Sequence, residues 1–293
     1  MHSGIINVLK PPGMTSHDVV SFIRRLYGIK RVGHAGTLDP AAAGVLPVFI
    51  GNATRLVEYL ADADKSYRAE LTFGFETDTG DDTGKVINSC PYSRLDSKQI
   101  KDTLASFIGA NEQIPPMHSA IKIGGKKLYE LARQGQVVER KPRKIVIDSI
   151  ALITESETKI VFDVTCSKGT YIRTLCSDIG RRLACLAVMS FLVRTRVGSF
   201  HLEQALTLEE ITENKEQAIQ NVDSVIAHFP LIKLSGQEAQ AIRNGRSIPC
   251  NLTGSDLVKM YDDQNMFIGI GRETPQQENM TILTPVKILS PGL

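Results

Sequence analysis

From Lys65 to Gly74 apolar and polar residues alternate, with Tyr67, Ala69, Leu71 and Phe73 on one side and Arg68, Glu70 and Thr72 on the other. Successive side chains of a strand point to opposite faces, so this period fits a half-buried strand and no helix. Residues 159–166 repeat it, with Ile160, Phe162, Val164 and Cys166 on one face. Helical spacing surrounds these segments. Ser16 is placed to cap a helix carrying Val19, Phe22, Ile23, Leu26 and Tyr27, which Gly28 can close. Ser97 is placed to cap another, with Ile100, Leu104, Phe107 and Ile108 inward. A third helix follows the turn Ser167-Lys168-Gly169 and bears Ile172, Leu175, Cys176, Ile179 and Leu183. Thr207-x-x-Glu210 and Ser235-x-x-Glu238 are capping boxes. Strands and helices that mix without strict βαβ alternation predict an α+β fold around a mixed, largely antiparallel sheet.

A chain of 293 residues suits one large domain and one small one. The boundary falls near residues 225–231, where a polar, acidic segment gives way to Ala227-His228-Phe229-Pro230-Leu231. Beyond it a short helix ending at Gly245 precedes the apolar stretches Leu257–Tyr261, Phe267–Gly271 and Thr281–Leu289, the pattern of a compact β-rich module. The division expected is 1–228 and 229–293. With 42% hydrophobic residues the composition excludes disorder, and no apolar run approaches the ~20 residues that span a bilayer. Residues 1–10 have neither a basic nor an apolar leader region, so a cytoplasmic protein is expected. Its five cysteines form no CxxC pair and its six histidines are scattered, so reduced thiols and no metal site are expected.

The stretch Gly33-His34-Ala35-Gly36-Thr37-Leu38-Asp39-Pro40 sets a carboxylate in a glycine-punctuated loop. Pro40 biases Asp39 away from the α region, and Gly33 and Gly36 permit positive φ or close backbone approach. The apolar run Gly44–Ile50 follows, so the acid is displayed at the edge of a buried strand. On the local pattern alone, a plain Asp-Pro turn with a capping aspartate is the better explanation. Elsewhere, eight basic and two acidic side chains crowd between Lys122 and Lys144 on a chain whose net charge is only +2. A local basic patch on a near-neutral protein is the footprint expected of a phosphate backbone.

Four segments together carry a resemblance that covers nearly the whole chain: NVLKPPGMTSHDVV, GHAGTLDPAAAGVLPVFIGNATR, KSYRAELTFGFETDTGDDTG and CSKGTYIRTL. In this order they resemble the tRNA pseudouridine synthases of the bacterial TruB type, which modify uridine 55 in the T-loop. The resemblance implies a pseudouridine synthase fold with a small C-terminal β-barrel-like PUA domain. It also implies a tRNA T-stem-loop as substrate; the reaction neither oxidises nor hydrolyses, so no cofactor is expected, and nothing in the sequence suggests an obligate protein partner, so a monomer is expected. By resemblance Asp39 is the catalytic aspartate and Arg173 its cationic partner; a carboxylate in a partly dry pocket protonates unless a cation accompanies it. Tyr67 matches an active-site tyrosine that stacks on the base. His34 matches a histidine that takes the place of the extruded uridine, and Tyr171 and Leu192 match residues that pack around it. Asp78 corresponds to a polar residue near the catalytic loop, and Lys10-Pro11-Pro12-Gly13 to a structural element. The basic segment resembles an insertion (about 112–145) that clamps the T-loop, with Lys126, Lys127 and Arg133 toward the RNA. His118 departs from the tyrosine usual there, and Ala184–Val188 from a stretch often holding glycines and a histidine.

Two readings compete. Asp-Thr-Gly occurs at Asp78–Gly80 and again at Asp82–Gly84, as in aspartic proteases, but both copies fall on one acidic turn and cannot face each other from two lobes. An RNA-binding protein without chemistry would use the basic segment and the C-terminal module alone; loss of the Asp39 carboxylate would leave it functional.

Overall fold

The structure, a computed structural model, describes residues 3–91, 95–251, 254–275 and 281–289. Nine strands form its larger sheet: β1 (Gly4–Lys10), β2 (Val32–His34), β3 (Ala43–Ile50), β4 (Lys65–Phe73), β5 (Gly109–Gln113), β6 (Arg143–Glu155), β7 (Lys159–Cys166), β8 (Ala187–Val197) and β9 (Phe200–His201). Their order is β1-β3-β8-β4-β7-β6-β5, with β2 added to β3 and β9 to β8. Among the described residues, the one parallel pairing between strands of this sheet joins β3 to β8, where Ala43 lies opposite Val193 and Gly44 opposite Arg194. The sheet is mixed and largely antiparallel, as the pattern predicts.

The alternation in β4 and β7 reads directly into burial. Tyr67, Ala69, Leu71, Phe73, Ile160, Phe162, Val164 and Cys166 all join one apolar cluster under the helix Ile172–Arg182, which adds Ile172, Leu175, Cys176 and Ile179. A helix of 11 residues is marginal alone, so burial of this stripe is what holds it. Arg173 is thereby fixed against the centre of the sheet.

Local starts and stops differ from expectation in three places. Thr15, not Ser16, caps the helix Ser16–Tyr27, in a capping box with Asp18. Asp96, not Ser97, caps Ser97–Ala105, in a box with Gln99. That helix stops before Ile108, which is 52% exposed. A carboxylate or hydroxyl one residue earlier serves the same orphan N–H groups, so residue type alone does not choose between adjacent candidates. Gly28 does close the first helix, at φ 64, and the boxes at Thr207 and Ser235 form.

A second sheet holds β10 (Leu231–Lys233), β11 (Ile248–Cys250), β12 (Leu257–Tyr261), β13 (Phe267–Pro275) and β14 (Thr281–Ile288), in the order β10-β12-β13-β14-β11. It does not hang free. Ile270 and Leu289 share a buried cluster with Ile5, Phe49, Leu56 and Ile226. Arg55 donates to the Ile288 carbonyl at 2.5 Å, and Lys287 pairs with Glu58 at 2.9 Å. Removing residues 231–293 would therefore uncover core side chains of the larger sheet and cost stability. Two short ribbons stand apart, Phe75–Thr77 with Val86–Ser89 and Lys122–Ile123 with Lys126–Lys127. Among the described residues no helix is long and apolar enough to cross a membrane.

Candidate active site

Asp39 sits in the loop between β2 and β3, and that loop is tied down from several sides. The Ser16 hydroxyl donates to the Leu38 carbonyl (3.1 Å) and accepts from the Leu38 N–H (2.9 Å). Gly13 N–H donates to the Pro40 carbonyl at 2.8 Å. The buried Lys10 ammonium donates to the carbonyls of Met14 (2.6 Å), Pro11 (2.9 Å) and Pro40 (3.2 Å), and burial pulls its pKa down to about 8. The Lys10–Gly13 element thus works as a clasp on the far side of Asp39. Of the two loop glycines only Gly36 takes positive φ (+91); Gly33 lies in β2 with ordinary backbone. Gly44 has the strictest requirement, because at φ +110 an added Cβ would lie 2.2 Å from the Arg194 carbonyl oxygen.

Ser16 makes the clasp testable. In Ser16→Ala the buried Leu38 N–H and C=O lose their partner, which costs ~1–3 kcal/mol. The melting temperature should fall by roughly 3–8 °C. A thermal scan showing no decrease would mean that the loop holds itself.

Arg173 is the second residue of its helix and is only 6% exposed. Its Nε lies 2.9 Å from Asp39 Oδ2, and its Nη2 donates to Oδ1 at 3.4 Å. Nη1 donates to the Thr79 carbonyl (2.9 Å) and Nη2 to the His118 carbonyl (2.8 Å). One planar fork thus collects the loop, the acidic turn and the basic insertion. The Asp39 side chain remains 38% exposed, so the cation is sealed behind an acid that faces outward.

The acidic turn reaches the site through a different residue from the one singled out in the sequence. Asp78 is exposed and accepts from the Lys85 N–H at 2.8 Å, closing its own turn. Asp81 is the member that faces Arg173, with Oδ2 4.0 Å from Nε, while its Oδ1 accepts from the Thr79 and Thr83 hydroxyls. Both Asp-Thr-Gly triplets lie on this one turn, which removes the protease reading. Within a run of aspartates and threonines, composition does not say which acid turns inward.

Tyr67 lies on the buried face of β4, and Leu192 on β8 joins the same cluster with Leu38, Ala42 and Ile172. Burial raises the Tyr67 pKa, against the lowering effect of the neighbouring Arg194, and the Asp39 charge also acts on it. Tyr171 caps the helix that carries Arg173, and Gln113 brackets its backbone by accepting from its N–H (2.8 Å) and donating to its carbonyl (3.0 Å). His34 ends β2; burial and Arg194 lower its pKa, so it is a neutral imidazole at pH 7. Lys127 and Arg133 lie 5.4 and 5.5 Å from the Tyr129 ring centre, with Lys126 exposed beside them. Arg194 escaped the sequence reading, although period two from Leu192 places it on the same strand face.

The site thus sets an outward carboxylate against a sealed guanidinium, beside an apolar cluster that holds Tyr67 and Leu192. Comparison with known proteins places the chain that carries it in a family. Residues 24–172 match the model of the TruB family pseudouridylate synthase (N terminal domain), residues 173–229 that of the tRNA pseudouridylate synthase B C-terminal domain, and residues 230–277 that of the pseudouridine synthase II TruB C-terminal region. The tRNA pseudouridine synthase B of Caldanaerobacter subterraneus is 51% identical over 92% of this chain and 94% of its own length. That of Alkaliphilus oremlandii is 50% identical over 98% of both chains. A solved chain in a Cbf5-Nop10-Gar1 complex superposes with a TM-score of 0.74 at 27% identity, covering 98% of this chain and 85% of that one. On these grounds the chain belongs to the TruB family of pseudouridylate synthases.

Proposed function

We propose that this enzyme converts uridine 55 in the T-loop of tRNA to pseudouridine in the cytoplasm. The bond from ribose C1′ to uracil N1 breaks, the base turns, and a new bond forms through C5, with no net oxidation or hydrolysis. The observation that carries the reading is the Asp39–Arg173 pair, a half-open carboxylate 2.9 Å from a buried guanidinium. Asp39 supplies the acid on which cleavage of the glycosidic bond depends. Arg173 holds it in place and in charge. Tyr67 stacks on the base, Leu192 and Tyr171 pack around it, and His34 fills the space the flipped nucleotide leaves. Extrusion costs a few kcal/mol of unstacking, which such a filler helps offset. Asp78 braces the acidic turn from outside.

The division of labour follows the sequence boundary. Residues 1–228 carry the chemistry, residues 112–145 clamp the T-loop through Lys126, Lys127 and Arg133, and residues 229–293 form a PUA-like module that adds RNA contacts. Incubating the purified protein with an unmodified tRNA transcript and mapping pseudouridine by position tests the reading. Product at position 55 is expected, and its absence there, or product at another position, would overturn it.

The clamp has its own test. Reversing the charges of Lys126, Lys127, Arg133 and Lys141 should weaken tRNA binding and reduce the slope of log affinity against log salt by about one for each phosphate no longer neutralised. An unchanged slope in a filter-binding titration would remove the insertion from the RNA interface.

A further inference from the structure

Gln113 is the last residue of β5 and pairs with Arg143 at the start of β6, so the basic segment leaves and rejoins the sheet at this pair. Its side chain is buried, and both ends of its amide engage one residue of another element. Oε1 accepts from the Tyr171 N–H (2.8 Å) while Nε2 donates to the Tyr171 carbonyl (3.0 Å). A reciprocal pair of bonds is what a neighbouring strand supplies; here a side chain supplies it. The helix start needs such a lock. Tyr171 is the N-cap of Ile172–Arg182, its backbone is extended (φ −100, ψ 112), and its side chain makes no capping bond. The segment that leaves β5 then meets the same helix a second time, where the His118 carbonyl accepts from Arg173 Nη2 at 2.8 Å. The next residue is tied to the basic helix Leu128–Arg133, its Ser119 carbonyl accepting from the Tyr129 N–H at 3.1 Å. The first turn of the Arg173 helix is thus gripped at its backbone by Gln113 and at its side-chain tip by His118.

We propose that Gln113 is a positioning residue for the reaction, locking the Tyr171 backbone so that the Arg173 guanidinium meets Asp39 in a fixed plane and the Tyr171 side chain enters the site at a fixed angle. The inference rests on the roles of Asp39, Arg173 and Tyr171 proposed above. One point of attachment leaves a helix start free to pivot, and two do not. Held by His118 alone, the Arg173 fork turns about its own tip and loses register with the Asp39 oxygens, which lie at 2.9 and 3.4 Å. A displacement of about 1 Å from productive geometry costs on the order of 10²-fold in rate. The lock requires an amide and not simply a polar group. Tyr171 presents one donor and one acceptor, and the Gln113 side chain answers each with its opposite. Gln113 therefore acts on the chemistry through another residue's backbone, from the root of the proposed RNA clamp.

Gln113→Met and Gln113→Glu test it, read by single-turnover pseudouridine formation at saturating tRNA and by tRNA affinity, each relative to wild type at the same pH. Gln113→Met fills the space and makes neither bond. It should slow the step by ~10–100-fold at every pH, with tRNA Kd within about threefold because the basic side chains are untouched. In Gln113→Glu the ionised carboxylate accepts from the Tyr171 N–H but turns a lone pair toward its carbonyl, whereas the protonated acid makes both bonds. Burial, Glu112 and Asp178 favour the protonated form; Arg143, Arg181 and Arg182 oppose it. The Gln113→Glu rate should therefore match that of Gln113→Met at about pH 8.5 and recover to within about fivefold of wild type at about pH 5.5. Assays run well below the melting temperatures, where a residue that only supports the fold leaves the rate at wild type. A Gln113→Met rate within about twofold of wild type, or a Gln113→Glu deficit that is the same at both pH values, would overturn the inference. If Gln113→Met does not fold, the two pH arms of Gln113→Glu decide it. An active wild type with unaffected variants refutes this inference alone, whereas an inactive wild type refutes the proposed function as well.

Discussion

Asp39→Asn is expected to abolish pseudouridine formation while leaving tRNA binding within about threefold of wild type. The amide is nearly isosteric, and the loop is held by Ser16, Lys10 and Gly13 through backbone groups, none of which the substitution touches. What disappears is the negative charge and one carboxylate oxygen. Loss of a group on which bond cleavage depends lowers turnover by ~10⁴-fold or more. Stability should fall modestly, by ~1–2 kcal/mol, between the values for exposed and buried ion pairs, because Arg173 keeps the Thr79 and His118 carbonyls when Asp39 is neutralised. A variant that still forms pseudouridine at more than about one per cent of the wild-type rate would show that the carboxylate is not the acting group.

Arg173→Lys is the second large effect expected, a ~10²–10³-fold fall in single-turnover rate. A lysine ammonium can reach Asp39 or the carbonyls, but it cannot satisfy Asp39, Thr79 and His118 together in the fixed plane that the guanidinium provides. The His118 carbonyl belongs to the basic segment, so this substitution also loosens the root of the proposed RNA clamp. Affinity should therefore weaken in Arg173→Lys and not in Asp39→Asn, a contrast that binding measurements on the two proteins would read directly. Rates within threefold of wild type would remove Arg173 from the mechanism.

Much of this architecture could be read before any coordinates. Period-two alternation placed β4 and β7, and the helical stripe placed Ile172–Arg182, because burial of one face is a strong one-dimensional signal. Helix starts were less legible. Thr15 and Ser16 are both good caps, and the choice was made by the site at Leu38 that takes the Ser16 hydroxyl. The acidic turn shows the same limit: Asp78, Asp81 and Asp82 lie side by side within it, and only folding aims Asp81 at Arg173. Arg194 is the instructive omission. An arginine in an apolar strand reads as a surface residue until three separate backbone segments are known to surround it.

Local order was therefore encoded locally: which residues form strands, which stripe of a helix turns inward, and that Asp39 would stand in a loop held open by Pro40. The meeting of Asp39 with Arg173, 134 positions away, belongs to another class of fact. It depends on β3 and β8 pairing in parallel and on the helix after β7 folding back across the sheet. Those are long-range contacts, set by how the whole apolar surface is buried at once, and no window of neighbouring residues contains them.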